Sequence, residues 1–201
     1  MSNQKGRKYQ LAQRAEAMEE TRARIAQATF ELHGLVGPAR TTIAAIAERA
    51  GVERATVYRH FPDELSLYHG CIGHGQAKHP FPDISPWRQI TDGEERLRVA
   101  LRAIYRFYRT VEYTFTNVER DLPTMPVFQQ AYEELGIFAL YQEIRSLLSE
   151  PYRKRPRFKV ISAAIGHATD FKTWQSLVRG QGLSDRQAIE AMVAMVHCLA
   201  D

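Results

Sequence analysis

Residues 41–61 read TTIAAIAERAGVERATVYRHF, and this stretch decides the fold. Ile43, Ile46, Ala47 and Ala50 recur at i, i+3, i+4 and i+7, which is one apolar face of a short helix. Thr41 or Thr42 can cap its N-terminus, and Gly51 suits a tight turn that needs positive φ. A second short helix is predicted from about Glu53 to His60, with Val57 and Phe61 facing a core and Pro62 as its stop. Two short helices across a tight turn, the second with one bare polar face, meet the requirements of a helix-turn-helix. That polar face has to enter a major groove about 12 Å wide.

The bare face carries Arg54, Ala55, Tyr58 and Arg59. An arginine can donate two hydrogen bonds to guanine O6 and N7, and a small Ala55 lets the helix lie close to a thymine methyl. Thr42, Thr56, Tyr58 and His60 are donors suited to phosphate oxygens, which fix register rather than sequence. The N-terminus of the first short helix, opened by Thr41 and Thr42, can add backbone N–H groups aimed at a phosphate.

Moving outward, Met18, Ile25, Ala28, Leu32 and Leu35 form the stripe of a preceding helix, ended by Gly34 and Gly37-Pro38. The first dozen residues are polar and lack periodicity, so a flexible basic arm is expected over 1–20. Downstream, Asp63 caps a fourth helix through Leu65, Tyr68 and Ile72. The charge supports this end of the chain as a nucleic-acid site. Residues 1–60 hold ten Lys and Arg against six Asp and Glu, whereas residues 61–201 hold seventeen of each.

Residues 21–67 resemble the DNA-binding domain of the TetR (tetracycline repressor) family. The resemblance is carried by Thr21-Arg22-Ala23-Arg24-Ile25, by Thr42 to Val52 with its Ile46-Ala47-Glu48-Arg49-Ala50-Gly51-Val52 core, and by Thr56-Val57-Tyr58-Arg59-His60-Phe61-Pro62-Asp63. Three positions depart from the family pattern. Glu53 stands where Ser or Thr usually precedes the third helix, Glu64 where Lys usually opens the fourth, and His33 where the first helix usually carries Phe. The resemblance implies a helix-turn-helix domain over 21–68 and a helical ligand-sensing and dimerisation domain over 69–201.

The remaining sequence agrees with an all-α fold. Residues 79–93, rich in Pro, read as a linker or long loop. Leu97, Leu101, Ile104, Tyr108, Val111 and Phe115 mark one long helix, and a further helix is expected over about 126–149, its stripe shifting past Gly136. Another is expected over about 157–179, and a last one follows the capping box Ser184-Asp185-Arg186-Gln187. No strand pattern and no internal repeat is present.

The resemblance also implies a homodimer through the last two helices, which have apolar faces to spare (Ile161, Ile165, Ala168, Met192, Met195, Val196). It implies an inducer pocket among the middle helices. The candidate lining is Tyr105, Tyr108, Phe115, Phe128, Tyr132, Tyr141, Phe171 and Trp174, with His167 and Asp170 as polar groups. The implied function is a regulator bound to a near-palindromic operator and released by a small-molecule inducer of unknown identity. Repression and activation are both open.

Other classes find less support. Two cysteines, Cys71 and Cys198, make no disulfide framework, no membrane span is present, and a cytoplasmic location is expected. No Gly-rich phosphate loop, GxSxG or HExxH motif points to an enzyme or to a cofactor. His69, Cys71, His74 and His79 lie close in sequence but match no closed metal site. Packaging of nucleic acid without sequence preference is a third reading, against which the two arginines of the third helix argue.

Overall fold

The computed structural model describes residues 2–200, with side chains described from Tyr9 onward. The described residues form α-helices and short turns of tighter or wider helix, with no strand. The helices are α1 (Ser2–Leu35), α2 (Ile43–Ala50), α3 (Arg54–His60), α4 (Glu64–Lys78), α5 (Gly93–Asp121), α6 (Pro126–Glu134), α7 (Ile137–Ser149), α8 (Phe158–Ala168), α9 (Phe171–Gln175) and α10 (Asp185–Ala200). The backbone is helical from Ser2, so the stretch expected as a flexible arm is the first part of α1. Three of its cations, Lys5, Arg7 and Lys8, have side chains outside the described residues.

Two helices expected as single are each divided. Between α6 and α7, Gly136 takes φ 70°, a left-handed conformation that favours glycine and breaks the ladder. This explains why the apolar stripe changes face there. Between α8 and α9, Thr169 turns its hydroxyl back onto the Ile165 and Gly166 carbonyls. Asp170 then starts α9 afresh, accepting from the Lys172 and Thr173 amides at 2.8 and 3.2 Å. A π-helical turn, Ser176–Gly180, continues α9.

The chain divides into two units. The first takes residues up to Lys78 together with Thr116–Ala131, and the second takes His79–Phe115 and the chain from Tyr132. The unit boundary therefore falls after α4, which packs along α1, and not at the expected residue 68. Within the first unit, Ile25, Ala28, Ile46, Ala47, Val57, Phe61 and Leu67 form the core. Residues 116–131 belong to this unit because their polar groups meet the end of α1. Asn117 donates to the Gly34 carbonyl, Arg120 to the Val36 carbonyl at 3.1 Å, and the Ala39 amide to Asp121 Oδ2 at 3.1 Å. Arg120 holds the buried Asp121 carboxylate at 2.7 Å, and that hydrogen bond lowers the Asp121 pKa. Gly37 lies against this pair with φ 91°, and a Cβ there would collide with the Arg120 guanidinium and the Asp121 carboxylate. No larger residue fits.

His33 is buried in the same unit, with Nδ1 3.4 Å from Cys71 Sγ and its ring edge-on to Phe128 at 5.6 Å. Burial lowers its pKa to about 4 and raises that of the Cys71 thiol, so both stay neutral and share one hydrogen bond.

The second unit has its own core, from Leu97 and Leu101 on α5 through Ile144 and Leu148 on α7 to Trp174 and Val193. Three of its buried polar side chains are tied to backbone. Tyr105 donates to the Ala168 carbonyl at 2.9 Å, Tyr108 to the Thr169 carbonyl at 2.6 Å, and Arg96 to the Ile90 and Leu147 carbonyls. The two tyrosine bonds satisfy carbonyls at the C-terminus of α8 and fix the bend before α9.

Because the folded His33 titrates near 4 and an unfolded one near 6.5, unfolding takes up a proton between these values. Stability is full above about pH 6.5 and falls as pH drops towards 4. The loss between pH 7 and pH 5 is about 2 kcal/mol by linkage. Denaturant unfolding at the two pH values checks this. His33→Phe should remove most of the difference, and a variant that keeps the full slope would assign it elsewhere. Gly37→Ala should cost about 2 kcal/mol or more, from positive φ together with displacement of the Arg120–Asp121 pair, and a melting temperature equal to that of the parent would refute the fit.

Candidate nucleic-acid interface

The interface begins with how α2 is started and stopped. Thr42 Oγ1 accepts from the Ala45 amide at 3.2 Å and caps α2. Thr41 is spent differently, its hydroxyl donating to the Gly37 carbonyl at 2.9 Å. Gly51 closes α2 at φ 65°, and the Val52 amide returns to the Ala47 carbonyl at 2.9 Å. Glu53 then opens α3 without any side-chain cap. This is the departure from the family pattern seen in the sequence, and it leaves the first amides of α3 to other partners.

On α3 the pattern separates two faces. Val57 and Phe61 are buried, while Arg54, Ala55, Tyr58 and Arg59 are exposed, Tyr58 to 55%. Four residues at i, i+1, i+4 and i+5 share one side of a helix, so the structure brings these four sequence candidates together. Thr56 is half-buried at the margin of that face, and its hydroxyl accepts from Arg59 at 3.3 Å, which turns the guanidinium along the helix.

His60 differs from expectation. It is 8% exposed, turned away from the arginine face, with its pKa lowered first by burial and then by Arg59 and Arg22. A phosphate cannot reach a side chain so placed without moving it, so His60 is removed from the candidate contacts.

The sequence reading missed what holds α3 in place. Arg22 of α1 donates to the His60 carbonyl at the end of α3, and its guanidinium lies 4.1 Å from the centre of the Phe61 ring. Arg49 of α2 meets Glu31 of α1 at 2.7 Å. A signal existed for Arg22: it precedes Ile25 by three, so it borders the buried stripe of α1.

The expected ligand lining is only partly assembled. Phe128 belongs to the first unit, where it packs on Tyr68 at 4.7 Å and on His33. Tyr105, Tyr108, Phe171 and Trp174 are buried together in the second unit, with Phe171 edge-on to Tyr108 at 5.3 Å. Tyr132 is buried beside Phe138 at 5.6 Å. Asp170 is the cap of α9, and exposed His167 meets the Thr173 hydroxyl at 3.1 Å, so both expected polar groups serve a helix start. Half-buried rings that sequence alone did not single out, Phe81 and Phe107, lie 5.0 Å apart, and Phe107 leads on to Phe115 at 5.7 Å. Phe81 also faces Tyr141 at 6.3 Å. Among the described residues no group of three or more His, Cys, Asp or Glu converges to hold a metal ion, and no helix is long and apolar enough to cross a membrane.

Comparison with known proteins agrees with this geometry. Residues 25–69 match the family model of bacterial regulatory proteins, tetR family. Over 57 residues the chain is 46% identical to the HTH-type transcriptional regulator TtgR of Pseudomonas putida, covering 28% of this chain and 27% of that protein. The probable HTH-type transcriptional regulator ArpR of Pseudomonas putida matches to the same extent. The matched segment thus spans about a quarter of the length of these relatives. Among solved structures, a tetR-family transcriptional regulator from Streptomyces coelicolor superposes with a TM-score of 0.63 at 18% identity, covering 90% of this chain and 80% of that one. NalD of Pseudomonas aeruginosa superposes with a TM-score of 0.60 at 20% identity, covering 90% and 96%. Identities this low speak for the fold alone. With the helix-turn-helix matched in sequence and the helical order matched in structure, the chain carries the N-terminal domain and the fold of the tetR family of bacterial regulatory proteins.

Proposed function

We propose that this protein is a sequence-specific DNA-binding transcriptional regulator that acts as a homodimer and is released from its operator by a small-molecule inducer. The observation that carries the reading is the exposed Arg54, Ala55, Tyr58 and Arg59 face of α3, held from behind by Val57, Phe61 and Arg22. Arg54 and Arg59 read base edges, and Thr42 with the α2 N-terminus meets phosphate. NalD, which shares the fold, is described as the secondary repressor of the MexAB-OprM multidrug efflux pump, and repression is the sense of regulation proposed for this chain.

The second copy is supported by two unpartnered helix faces. Ala191, Ala194, Met195 and Cys198 are exposed at i, i+3, i+4 and i+7 of α10. On α8 the exposed Val160 and Ala163 lie on a comparable face, and α8 packs against α10. Two such pairs form a four-helix bundle about a two-fold axis, and a two-fold protein matches a two-fold operator. The half-buried rings Phe81, Phe107, Phe115 and Tyr141 are the seat for an aromatic inducer, whose preference for the non-binding form shifts the population away from DNA.

Selection of a random DNA pool on the purified protein should enrich a two-fold symmetric motif, and a pool with no enriched motif would sink the reading. On the selected operator, Arg59→Ala should cost about 1–3 kcal/mol and relax the preference at one position of each half-site. Uniform weakening over all sequences would make it a phosphate contact. Met195→Glu should yield a monomer by sedimentation velocity and lose operator affinity together with dimerisation. A variant that remains dimeric would place the partner on another face.

A further inference from the structure

Residues 151–160 read PYRKRPRFKV, which places five cations, Arg153, Lys154, Arg155, Arg157 and Lys159, within seven residues and without one carboxylate. The balanced charge of the chain beyond residue 60 conceals this run. The structure displays it on an ordered turn. Tyr152 is buried, and the Arg153, Arg155 and Phe158 amides return to the Glu150, Tyr152 and Arg155 carbonyls at 3.1, 2.9 and 3.1 Å. All five cationic residues are exposed, and none of their side chains has a hydrogen bond or ion pair among the described residues. The nearest carboxylate in sequence, Glu150, is engaged by Arg96 at 2.8 Å.

The turn leads directly into α8, an 11-residue helix whose first turn holds no acidic residue and whose start has no side-chain cap. Lys159 stands in that first turn, so its charge adds to the positive end of the helix dipole. Several other arginines of the second unit are matched, Arg98 with Glu190, Arg109 with Asp185 and Arg179 with Glu112, and no other stretch of that unit sets five cations side by side. Five like charges left together repel one another, and a polyanion relieves that repulsion.

We infer that this turn is a second duplex-DNA contact, separate from α3, that grips the phosphate backbone without reading bases. Three of the five cations are arginines, whose forked donors fit phosphate oxygens. The aromatic neighbours favour a duplex backbone over other polyanions. Tyr152 is buried and Phe158 half-buried, so no ring stands free to stack on single-stranded bases or to insert into a bilayer. The one exposed aliphatic residue beside the run, Val160, lies on the face assigned to the second copy.

The test uses the full chain and a duplex of random sequence, with affinity measured by anisotropy between about 50 and 200 mM salt. Arg54→Ala with Arg59→Ala silences α3, and this double variant should still bind the duplex with a steep salt dependence. Adding Arg153→Gln, Lys154→Gln, Arg155→Gln and Arg157→Gln should remove that residual binding. In the otherwise native chain the same four changes should flatten the slope of log K against log salt by about 0.9 for each phosphate that is no longer gripped, roughly 2 to 4 per protomer. Unchanged far-UV dichroism shows that the variants are folded. If the α3 double variant binds no duplex, or if the four changes leave the slope as it was, the inference is overturned. It is likewise overturned if the four changes abolish only sedimentation with phosphatidylserine vesicles, which would make the turn a membrane contact. If the native chain enriches no operator yet has a flatter salt slope in the fourfold variant, the operator reading fails while the second contact stands.

Discussion

The orientation of α3 rests on one guanidinium. Arg22 donates to the last carbonyl of α3, at His60, and lies over the ring of Phe61, the residue that ends the helix. A seven-residue helix has too few internal hydrogen bonds to hold itself in water. Its C-terminal carbonyls need partners, and its direction has to be imposed by packing. Val57 and Phe61 supply the packing, and Arg22 supplies both a donor and a face. Without this attachment the exposed Arg54 and Arg59 would sit on a frayed turn and could not be offered at a fixed distance from a groove.

The same logic extends to the far end of α1. Gly37 reaches φ 91°, the Arg120–Asp121 pair fills the space where a side chain would be, and Asp121 takes the Ala39 amide. The segment that supplies this pair comes from the second half of the chain, at the end of α5, yet it belongs to the first unit. A single helix of 29 residues therefore contributes its early turns to the second unit and its last turns, from Thr116, to the first.

Local features were legible in the sequence where local physics decides them. The α2 face, the Gly51 turn and the bare α3 face follow from helical period and from glycine, and each is found where the pattern places it. The breaks at Gly136 and Asp170 were harder to read, because neighbouring stripes continued across them. Only the left-handed glycine in one case and the capping carboxylate in the other decided against a longer helix. Long-range pairings were not legible. Nothing in the spacing of residues says that Asn117 and Asp121 meet the end of α1, or that Phe128 packs on His33. Nor does composition say that Tyr105 and Tyr108 spend their hydroxyls on the end of α8. An aromatic residue fills a core or faces a ligand with equal chemical ease, and only the position of its polar atom separates the two.

Charge shows the same limit in another form. A net balance describes how many groups of each sign a segment holds, not which of them are already neutralised. In the second unit the carboxylates Glu190, Asp185, Glu112 and Glu150 each have an arginine, and these pairs contribute little to the field beyond a few ångströms. The field that remains belongs to the groups outside such pairs. Five of these stand side by side in the turn before α8, while on α3 the exposed Arg54 is likewise left outside any ion pair among the described residues. Sequence counting assigns all the excess charge to the first sixty residues. Pairing in the structure leaves a dense cluster of unneutralised charge in the second half of the chain as well, on a short turn fixed by backbone hydrogen bonds.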